Sequence, residues 1–263
     1  MKKQVKPKQL NLKAKNIKKI KPDVFLLSFD NGFLAKNSRP GQFLHIKIDK
    51  VILRRPFSIH CVKGDTVYIL FRIRGRGTQA LSVYKTGKRF NVIGPLGNGF
   101  DYKLQTIAER RQILIAGGLG VAPLVFLAQE LKKIRDTRYA VRDTILLGAK
   151  TKKELLCEDE FKRLGCRVKV ATEDGSKGAK GTVINLLNNE KLNSGSVYSC
   201  GPEEMFLQIH KILKDKQKVD CQVSFEQFMG CGLGVCCACA IETKHGYKKV
   251  CKDGPVFNIK DIW

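Results

Sequence analysis

Four cysteines near the C-terminus have the spacing of an iron–sulfur site. The sequence has ten cysteines, and four of them fall within residues 231–239. Cys231, Cys236, Cys239 and Cys251 form the pattern Cys-x4-Cys-x2-Cys-x11-Cys, which is typical of plant-type [2Fe–2S] ligands. The intervening glycines permit sharp turns that point backbone N–H groups at sulfur. The spacing therefore predicts a [2Fe–2S] cluster on these four cysteines, with Cys237 outside the ligand set.

Zinc is the alternative metal, because four thiolates also bind zinc tetrahedrally. The four-residue first gap and the single downstream cysteine fit zinc ribbons less well than they fit the iron–sulfur pattern. Zinc would make the chain colourless.

A second motif, Arg54-Arg55-Pro56-Phe57-Ser58, is suited to a flavin. It offers arginine to a pyrophosphate, an aromatic ring, and a hydroxyl to the edge of the isoalloxazine. The later stretch Gly75-Arg76-Gly77-Thr78 can approach a phosphate where a helix begins. Taken alone, the first motif also fits a charged edge strand interrupted by proline.

A third motif indicates a dinucleotide. Residues 115–123 read as a strand that enters a glycine turn (Gly117, Gly118, Gly120) and opens a helix near Pro123. Such glycines let a pyrophosphate touch the backbone at a helix N-terminus. The motif is not GxGxxG, so on spacing alone a tight strand-to-helix turn fits equally well.

Two further groups follow predicted strands and should lie at the carboxyl edge of the sheet. Cys200, Gly201 and Pro202 are expected near the nicotinamide, although a buried structural Cys200 fits as well. Glu173 and Asp174 are acidic where a 2′-phosphate needs cations, which favours NAD over NADP.

The elements that must position these motifs change in character along the chain. From about residue 8 to 105, short alternating runs (Val24–Phe29, Gln42–Ile48, Thr66–Arg72) and an Asn31-Gly32 turn predict an antiparallel barrel. From about 110 to 220, short apolar runs alternate with helical stretches, which predicts a doubly wound parallel sheet. The predicted strands there are Ile113–Ala116, Thr144–Leu147, Val168–Thr172 and Val197–Cys200. The last forty-odd residues have too few apolar residues to fold without a metal or a neighbour.

The composition bounds the function. The formal charge of +25 would suit a nucleic-acid binder. The lysines are scattered and not interleaved with aromatic residues, which disfavours that role. A zinc-bearing nucleic-acid binder therefore stays as the less favoured alternative, from a different functional class. No apolar run reaches the roughly 20 residues of a membrane helix. No signal or transit segment is recognised, so we expect a cytoplasmic protein.

With its motifs in the order flavin, nucleotide, iron–sulfur, the sequence resembles the ferredoxin–NADP reductase superfamily over essentially its full length. Within it, the sequence is most similar to the electron-transfer subunits of dihydroorotate dehydrogenase B. The most specific block is Cys231–Cys239 with Val250-Cys251-Lys252-Asp253-Gly254-Pro255-Val256-Phe257.

The resemblance implies three units: a FAD-binding β-barrel domain (1–107), a NAD-binding α/β domain (108–220) and a [2Fe–2S] module (221–263). It implies one FAD and one cluster per chain, with electrons passing from a partner through the cluster to FAD and on to NAD+, in pyrimidine biosynthesis. The FAD contacts it implies are Arg55, Pro56, Phe57, Ser58, Leu70, Phe71, Arg72, Gly77 and Thr78. The NAD contacts we expect are Gly117, Gly118, Gly120, Cys200, Gly201 and Pro202.

The implied partner is an FMN-containing dihydroorotate dehydrogenase catalytic subunit, in a heterotetramer of two plus two. The same three modules also occur in the reductase subunits of other complexes, such as sulfide or ferredoxin:NADP oxidoreductases, and this alternative stays open. Phe57 is a departure, since relatives commonly carry an aliphatic residue or tyrosine there.

Overall fold

A computed structural model of the chain describes residues 5–49, 51–102, 112–134 and 143–263. Within these ranges, none of the helices is long and apolar enough to cross a membrane.

The N-terminal part is built from antiparallel strands and two short helices. The strands are β1 (Lys8–Lys13), β2 (Asn16–Lys21), β3 (Val24–Asp30), β4 (Phe43–Lys47), β5 (Arg55–Ser58), β6 (Cys61–Lys63), β7 (Thr66–Arg72) and β8 (Arg89–Leu96). The helices are α1 (Gly32–Asn37) and α2 (Arg76–Ser82). The strands form two four-stranded sheets in the orders β1-β8-β4-β5 and β2-β3-β7-β6.

The two sheets close around one apolar core, because alternate residues of each strand point inward. Leu27 and Phe29 of β3 and Ile69 and Phe71 of β7 are fully buried there. The predicted antiparallel barrel is confirmed. The Asn31-Gly32 pair differs from the predicted turn: the Asn31 side chain accepts the Leu34 N–H at 2.9 Å and caps α1.

The C-terminal part is a seven-stranded sheet covered by helices. Its strands are β9 (Gln112–Gly117), β10 (Thr144–Ala149), β11 (Arg167–Thr172), β12 (Ala179–Lys180), β13 (Gly195–Cys200), β14 (Val219–Ser224) and β17 (Val256–Asn258). The helices are α3 (Val121–Ile134), α4 (Glu158–Arg163), α5 (Val183–Asn188), α6 (Glu203–Leu213) and α7 (Ile259–Ile262). The strand order is β12-β11-β10-β9-β13-β14-β17, parallel except for the antiparallel β17.

Helices cover both faces of this sheet, which explains the continuous apolar runs of its central strands. Ile113 and Ile115 of β9 pack into the core beneath α5 and α6, whereas Leu114 and Ala116 pack against α3. The predicted doubly wound sheet is therefore confirmed. Of the two predicted domain boundaries, the one after residue 107 lies outside the described residues, and the one after residue 220 falls inside β14.

Between β14 and β17 the chain leaves the sheet as residues 225–255, which we call the cysteine segment. Its regular structure is one short antiparallel pair, β15 (Ala240–Ile241) with β16 (Lys248–Lys249). Ser224 and Val256, which flank the segment, are register partners in the sheet.

Candidate metal and nucleotide sites

The four predicted cluster ligands come together in the cysteine segment through hydrogen bonds from backbone N–H groups to sulfur. The Cys231 Sγ accepts from Leu233 at 3.3 Å and from Val235 and Cys236 at 3.4 Å. The Cys251 Sγ accepts from Gly234 at 3.1 Å. This loop conformation requires glycine, since Gly232 and Gly234 have φ of +71° and +84°.

These backbone N–H donors favour the thiolate form of Cys231. Desolvation by itself would raise the pKa of the Cys231 thiol, but the N–H groups of Cys236, Leu233 and Val235 lower it to about 6. Burial raises the pKa of the Cys251 thiol to about 12, and the neighbouring Cys239 adds to the rise. A cation bound between the thiols removes that cost, because metal-bound cysteines are deprotonated.

The sulfurs are arranged as two pairs. Cys231 and Cys236 exchange N–H···S contacts of 3.4 Å, and the Cys251 N–H donates to the Cys239 Sγ at 3.4 Å. A single zinc ion with bonds of about 2.3 Å would hold all four sulfurs about 3.8 Å apart. No three of these four sulfurs, all of them in described residues, lie within 4.8 Å of one another. Two pairs of thiols fit a two-iron cluster better than one tetrahedral zinc.

Cys237 differs from its neighbours. It is exposed, with φ of +56°, and its thiol contacts the Val235 carbonyl oxygen at 3.9 Å.

Sequence reasoning missed His45, which lies fully buried beneath the loop. A Cβ on Gly232 would be 2.4 Å from the His45 Nδ1, so the loop rests directly on the ring. Burial lowers the pKa of His45 to about 4, with the charge of Arg54 as the next cause. A histidine inside strand β4 carries no sequence signal that would link it to cysteines 186 positions later.

The predicted flavin residues lie around a cleft of about 390 Å³, which we call the smaller cleft. Of the nine, seven line it: Pro56, Phe57, Ser58, Leu70, Phe71, Arg72 and Thr78. Arg55 and Gly77 are outside the lining and close to each other, since a Cβ on Gly77 would be 3.4 Å from the Arg55 Nε.

The opposite wall of the smaller cleft comes from the start of the cysteine segment, which the sequence did not indicate. This wall consists of Phe225, Glu226, Gln227, Phe228 and Met229. The barrel and the cysteine segment therefore enclose the cleft together.

The predicted dinucleotide residues lie around a larger cleft of about 970 Å³. Five of the six line it: Gly117, Gly118, Gly120, Gly201 and Pro202. Cys200 does not; it is buried below the cleft, and burial raises the pKa of its thiol. Glu173 also lines the larger cleft, and Asp174 is outside the lining.

Two glycines of this turn have different physical requirements. A Cβ on Gly120 would be 2.0 Å from the Cys200 carbonyl oxygen, so only glycine lets the two chain segments approach. Gly118 has open space around its Cβ position but φ of +54°, which favours glycine for conformational reasons.

The two clefts meet. Arg72, Arg74, Leu119 and Glu226 line both of them. Arg72 is held by Asp23, with the Nε 3.2 Å from the carboxylate, and by Glu154 at 3.7 Å. The protein that surrounds Glu226 partly desolvates its carboxylate and raises its pKa, and the positive charge of Arg74 acts in the opposite direction. The Glu226 side chain is nevertheless exposed in the cleft. These four residues are therefore placed to contact a ligand in either cleft.

Two protein-family models match the chain. The iron–sulfur cluster binding domain of dihydroorotate dehydrogenase B matches residues 226–263, and the oxidoreductase NAD-binding domain matches residues 114–211.

Curated relatives match over nearly the whole length. The chain is 39% identical over 250 residues to the dihydroorotate dehydrogenase B (NAD(+)) electron transfer subunit of Desulforamulus reducens, covering 90% of this chain and 92% of the relative. It is 37% identical over 262 residues to the subunit of the same name from Bacillus cereus, covering 96% and 97%.

Among solved structures, an NADH-dependent reduced ferredoxin-NADP oxidoreductase, described for flavin-based electron bifurcation, aligns with a TM-score of 0.82 and 29% identity over 96% of this chain and 89% of that one. A ferredoxin NADP+ reductase from Neisseria gonorrhoeae with bound FAD and NADP aligns with a TM-score of 0.67 over 83% of this chain and 99% of that one. At 17% identity, the second likeness concerns the fold alone.

Proposed function

This chain belongs to the family of dihydroorotate dehydrogenase B electron-transfer subunits, as the sequence motifs indicated, and on that premise we propose that it carries electrons from a catalytic partner subunit to NAD+ in pyrimidine biosynthesis. The cofactors would be one [2Fe–2S] cluster and one FAD per chain. A flavin between a one-electron cluster and NAD supplies the conversion between single electrons and hydride. The observation that carries the proposal is the continuity of the loop of four cysteines, the smaller cleft and the larger cleft.

We propose that Cys231, Cys236, Cys239 and Cys251 hold the cluster and that the smaller cleft holds the flavin. The aromatic and hydroxyl side chains of Phe57 and Ser58 suit an isoalloxazine there. Phe225–Met229 connect this cleft to the cysteine loop, so the same short stretch of chain would touch both redox groups.

The larger cleft is proposed as the NAD site. Its glycine turn at residues 117–120 opens the 14-residue helix α3, whose N-terminal N–H groups favour a pyrophosphate. Glu173 in the lining disfavours a 2′-phosphate and supports NAD. Glu226 lies where the two clefts meet, close to the position at which hydride transfer would occur.

The catalytic partner follows from the relatives, which are named as electron-transfer subunits. Apolar side chains near the cysteine loop are exposed, with Phe228 at 92% and Val235 at 81%. Leu233 of the same loop is 47% exposed, and exposed apolar side chains that cluster in this way mark interaction surfaces. We therefore propose that this surface docks an FMN-containing catalytic subunit, in a cytoplasmic assembly of two plus two chains, and we keep the three-unit division at residues 107 and 220 as part of the proposal.

A second candidate function is the reductase subunit of another complex. The alignment with the ferredoxin-NADP oxidoreductase structure favours it, because 96% of this chain is covered at 29% identity. The two functions share every site described above and differ only in the partner.

The testing experiment is anaerobic purification with and without a co-expressed FMN-containing catalytic subunit. We expect about two irons, two sulfides and one FAD per chain, with bleaching of the visible spectrum by NADH. The partner should co-purify and reduce NAD+ with dihydroorotate as the donor. A protein with this spectrum that binds no such partner would favour the second candidate, and a colourless protein would refute both.

A surface variant separates docking from redox chemistry. Val235→Glu places a charge on the exposed surface, so partner binding should fall while NADH still bleaches the flavin. Val83→Glu, at another exposed valine, is the matched control and should bind the partner normally.

A further inference from the structure

Three metal-binding side chains meet where the barrel contacts the α/β sheet, away from the cysteine segment. His60 lies between β5 and β6, Cys157 directly precedes α4, and Glu160 is in the first turn of that helix. One ring nitrogen, the thiol sulfur and a carboxylate oxygen all lie within 4.8 Å of one another. His60 is about 100 positions from the other two residues in the sequence, and no sequence motif connects the three.

The orientation of His60 leaves a position for a cation. Its ring is buried, and its Nδ1 lies 3.1 Å from the carbonyl oxygen of Ala122 in α3. Because a carbonyl only accepts, the Nδ1 carries hydrogen, which leaves the Nε2 to face the Glu160 carboxylate at 3.3 Å. Two acceptors that face each other need a proton or a metal ion between them. A histidine with Nδ1–H bound to a backbone carbonyl is the usual second-shell arrangement of a metal ligand.

The distance favours a metal ion. A charge-assisted N–H···O bond is typically about 2.7–2.9 Å. Two ligands about 2.0–2.1 Å from a tetrahedral zinc ion are about 3.3 Å apart, which is the distance between the His60 Nε2 and the Glu160 carboxylate.

Cys157 supplies a third donor from a strained backbone. It has φ of +60° and is one of two described residues other than glycine with positive φ, Cys237 being the other. Such a conformation persists only where its surroundings fix it. The conformation places the thiol within 4.8 Å of the Glu160 carboxylate oxygen.

We propose that His60, Cys157 and Glu160 bind one zinc-class divalent ion that joins the barrel to the α/β sheet. Nitrogen, sulfur and oxygen donors together select a borderline metal such as Zn²⁺ over Mg²⁺ or Ca²⁺, which prefer oxygen alone. Glu160 is 31% exposed, which leaves a fourth position for water. Binding forms a metal–sulfur bond, and the proton of the Cys157 thiol passes to solvent.

The ion would hold the two clefts in a fixed relation. Ala122, which orients His60, lines the smaller cleft, and it follows the glycine turn of the larger cleft. The site shares no residue with the proposed cluster and does not depend on the proposed function.

The test uses the full chain with its visible spectrum intact, so that the cluster cysteines are occupied. Zinc chloride is titrated against a chromophoric zinc chelator, and zinc-edge X-ray absorption is measured. We expect one zinc per chain, with one sulfur at about 2.3 Å and nitrogen or oxygen ligands at about 2.0–2.1 Å. Cys157→Ala and Glu160→Gln should each weaken zinc binding at least about tenfold. Cys221→Ala, a buried thiol in the core of the opposite face, should leave it unchanged.

Zinc should also raise the melting temperature of the unmodified protein and of Cys221→Ala, but not that of Cys157→Ala. No zinc above the level of the two ligand variants, or an absorption spectrum with four sulfur ligands, would overturn the proposal. The absorption measurement needs no variant, so it decides the matter even if a substitution impairs folding.

Discussion

The seven-stranded sheet and the cysteine segment show two ways in which one chain holds a redox site. The sheet satisfies its backbone through strand pairing and buries apolar side chains on both faces. In the cysteine segment, strand pairing joins only the two residues of β15 to the two residues of β16. Several backbone N–H groups of this segment donate to cysteine sulfur atoms instead. Packing fixes the sheet, whereas the cysteine segment is completed by what its sulfurs bind.

Few apolar side chains tie the cysteine segment to the body of the protein. Those buried in the core beneath α5 and α6 are Phe225, Met229, Cys239, Val250 and Cys251. Two of these five are proposed cluster ligands, so the packing and the metal site depend on the same residues.

The largest effect should come from removing one cluster ligand, which should disorder the cysteine segment and leave the sheet folded. Cys251→Ser should abolish the cluster, because a hydroxyl replaces a soft thiolate ligand. Iron and sulfide content and the visible spectrum measure it. Limited proteolysis should then cut within residues 225–255 while the sheet stays resistant.

Cys237→Ser is the control, since its thiol is exposed and outside the two sulfur pairs, and it should retain all iron. A cluster of normal absorbance in Cys251→Ser would refute the ligand assignment.

A substitution that creates a cavity in the sheet core should lower the stability of the protein and leave the iron content unchanged. Phe206 of α6 is 1% exposed, and Phe206→Ala should lower the free energy of unfolding by about 3–5 kcal/mol. Urea denaturation followed by circular dichroism measures this change. The iron content per folded chain should not change, because the sulfur pairs are untouched.

Phe228→Ala provides the matched comparison, since this ring is 92% exposed and its loss should change stability by less than about 0.5 kcal/mol. Equal destabilisation by the two substitutions would contradict the division between packing and ligand binding.

The smallest expected effect compares two glycines of the cysteine segment. Both have positive φ, +71° at Gly232 and +83° at Gly246, but a Cβ meets His45 at 2.4 Å only at Gly232. Gly246→Ala should cost about 1 kcal/mol through backbone strain alone and keep the iron. Gly232→Ala should add a clash and lower the iron content.

Iron assay and thermal denaturation of both variants measure the difference. Equal iron contents would mean that the loop does not rest on His45 in the way described.

The sequence predicted those features that repeat at short range. Strands such as Thr66–Arg72 follow from alternation and composition, and the four cysteines follow from their spacing. What it did not predict are contacts between distant segments. His45 comes from a barrel strand and Glu226 from the far end of the chain, and each reaches its place only through the packing of separate units.

Two residues of the predicted sites, Arg55 and Cys200, lie outside the lining of the two clefts, and for each the neighbouring element is the reason. Arg55 lies in the expected strand, but its side chain is near Gly77 and outside the lining of the smaller cleft. Cys200 ends β13 as predicted, yet the close approach of Gly120 to its carbonyl covers it. Spacing sets the strand, while the neighbouring element decides whether a side chain is exposed.

The pairing of Ser224 with Val256 makes the cysteine segment an insertion within a β-hairpin. Both ends of the insertion are adjacent in the sheet, and the entropy cost of closing the loop grows only slowly with its length. A short turn joining β14 to β17 would leave the strand order intact. The sheet of this chain therefore does not depend on the length of the iron–sulfur segment that is inserted into it.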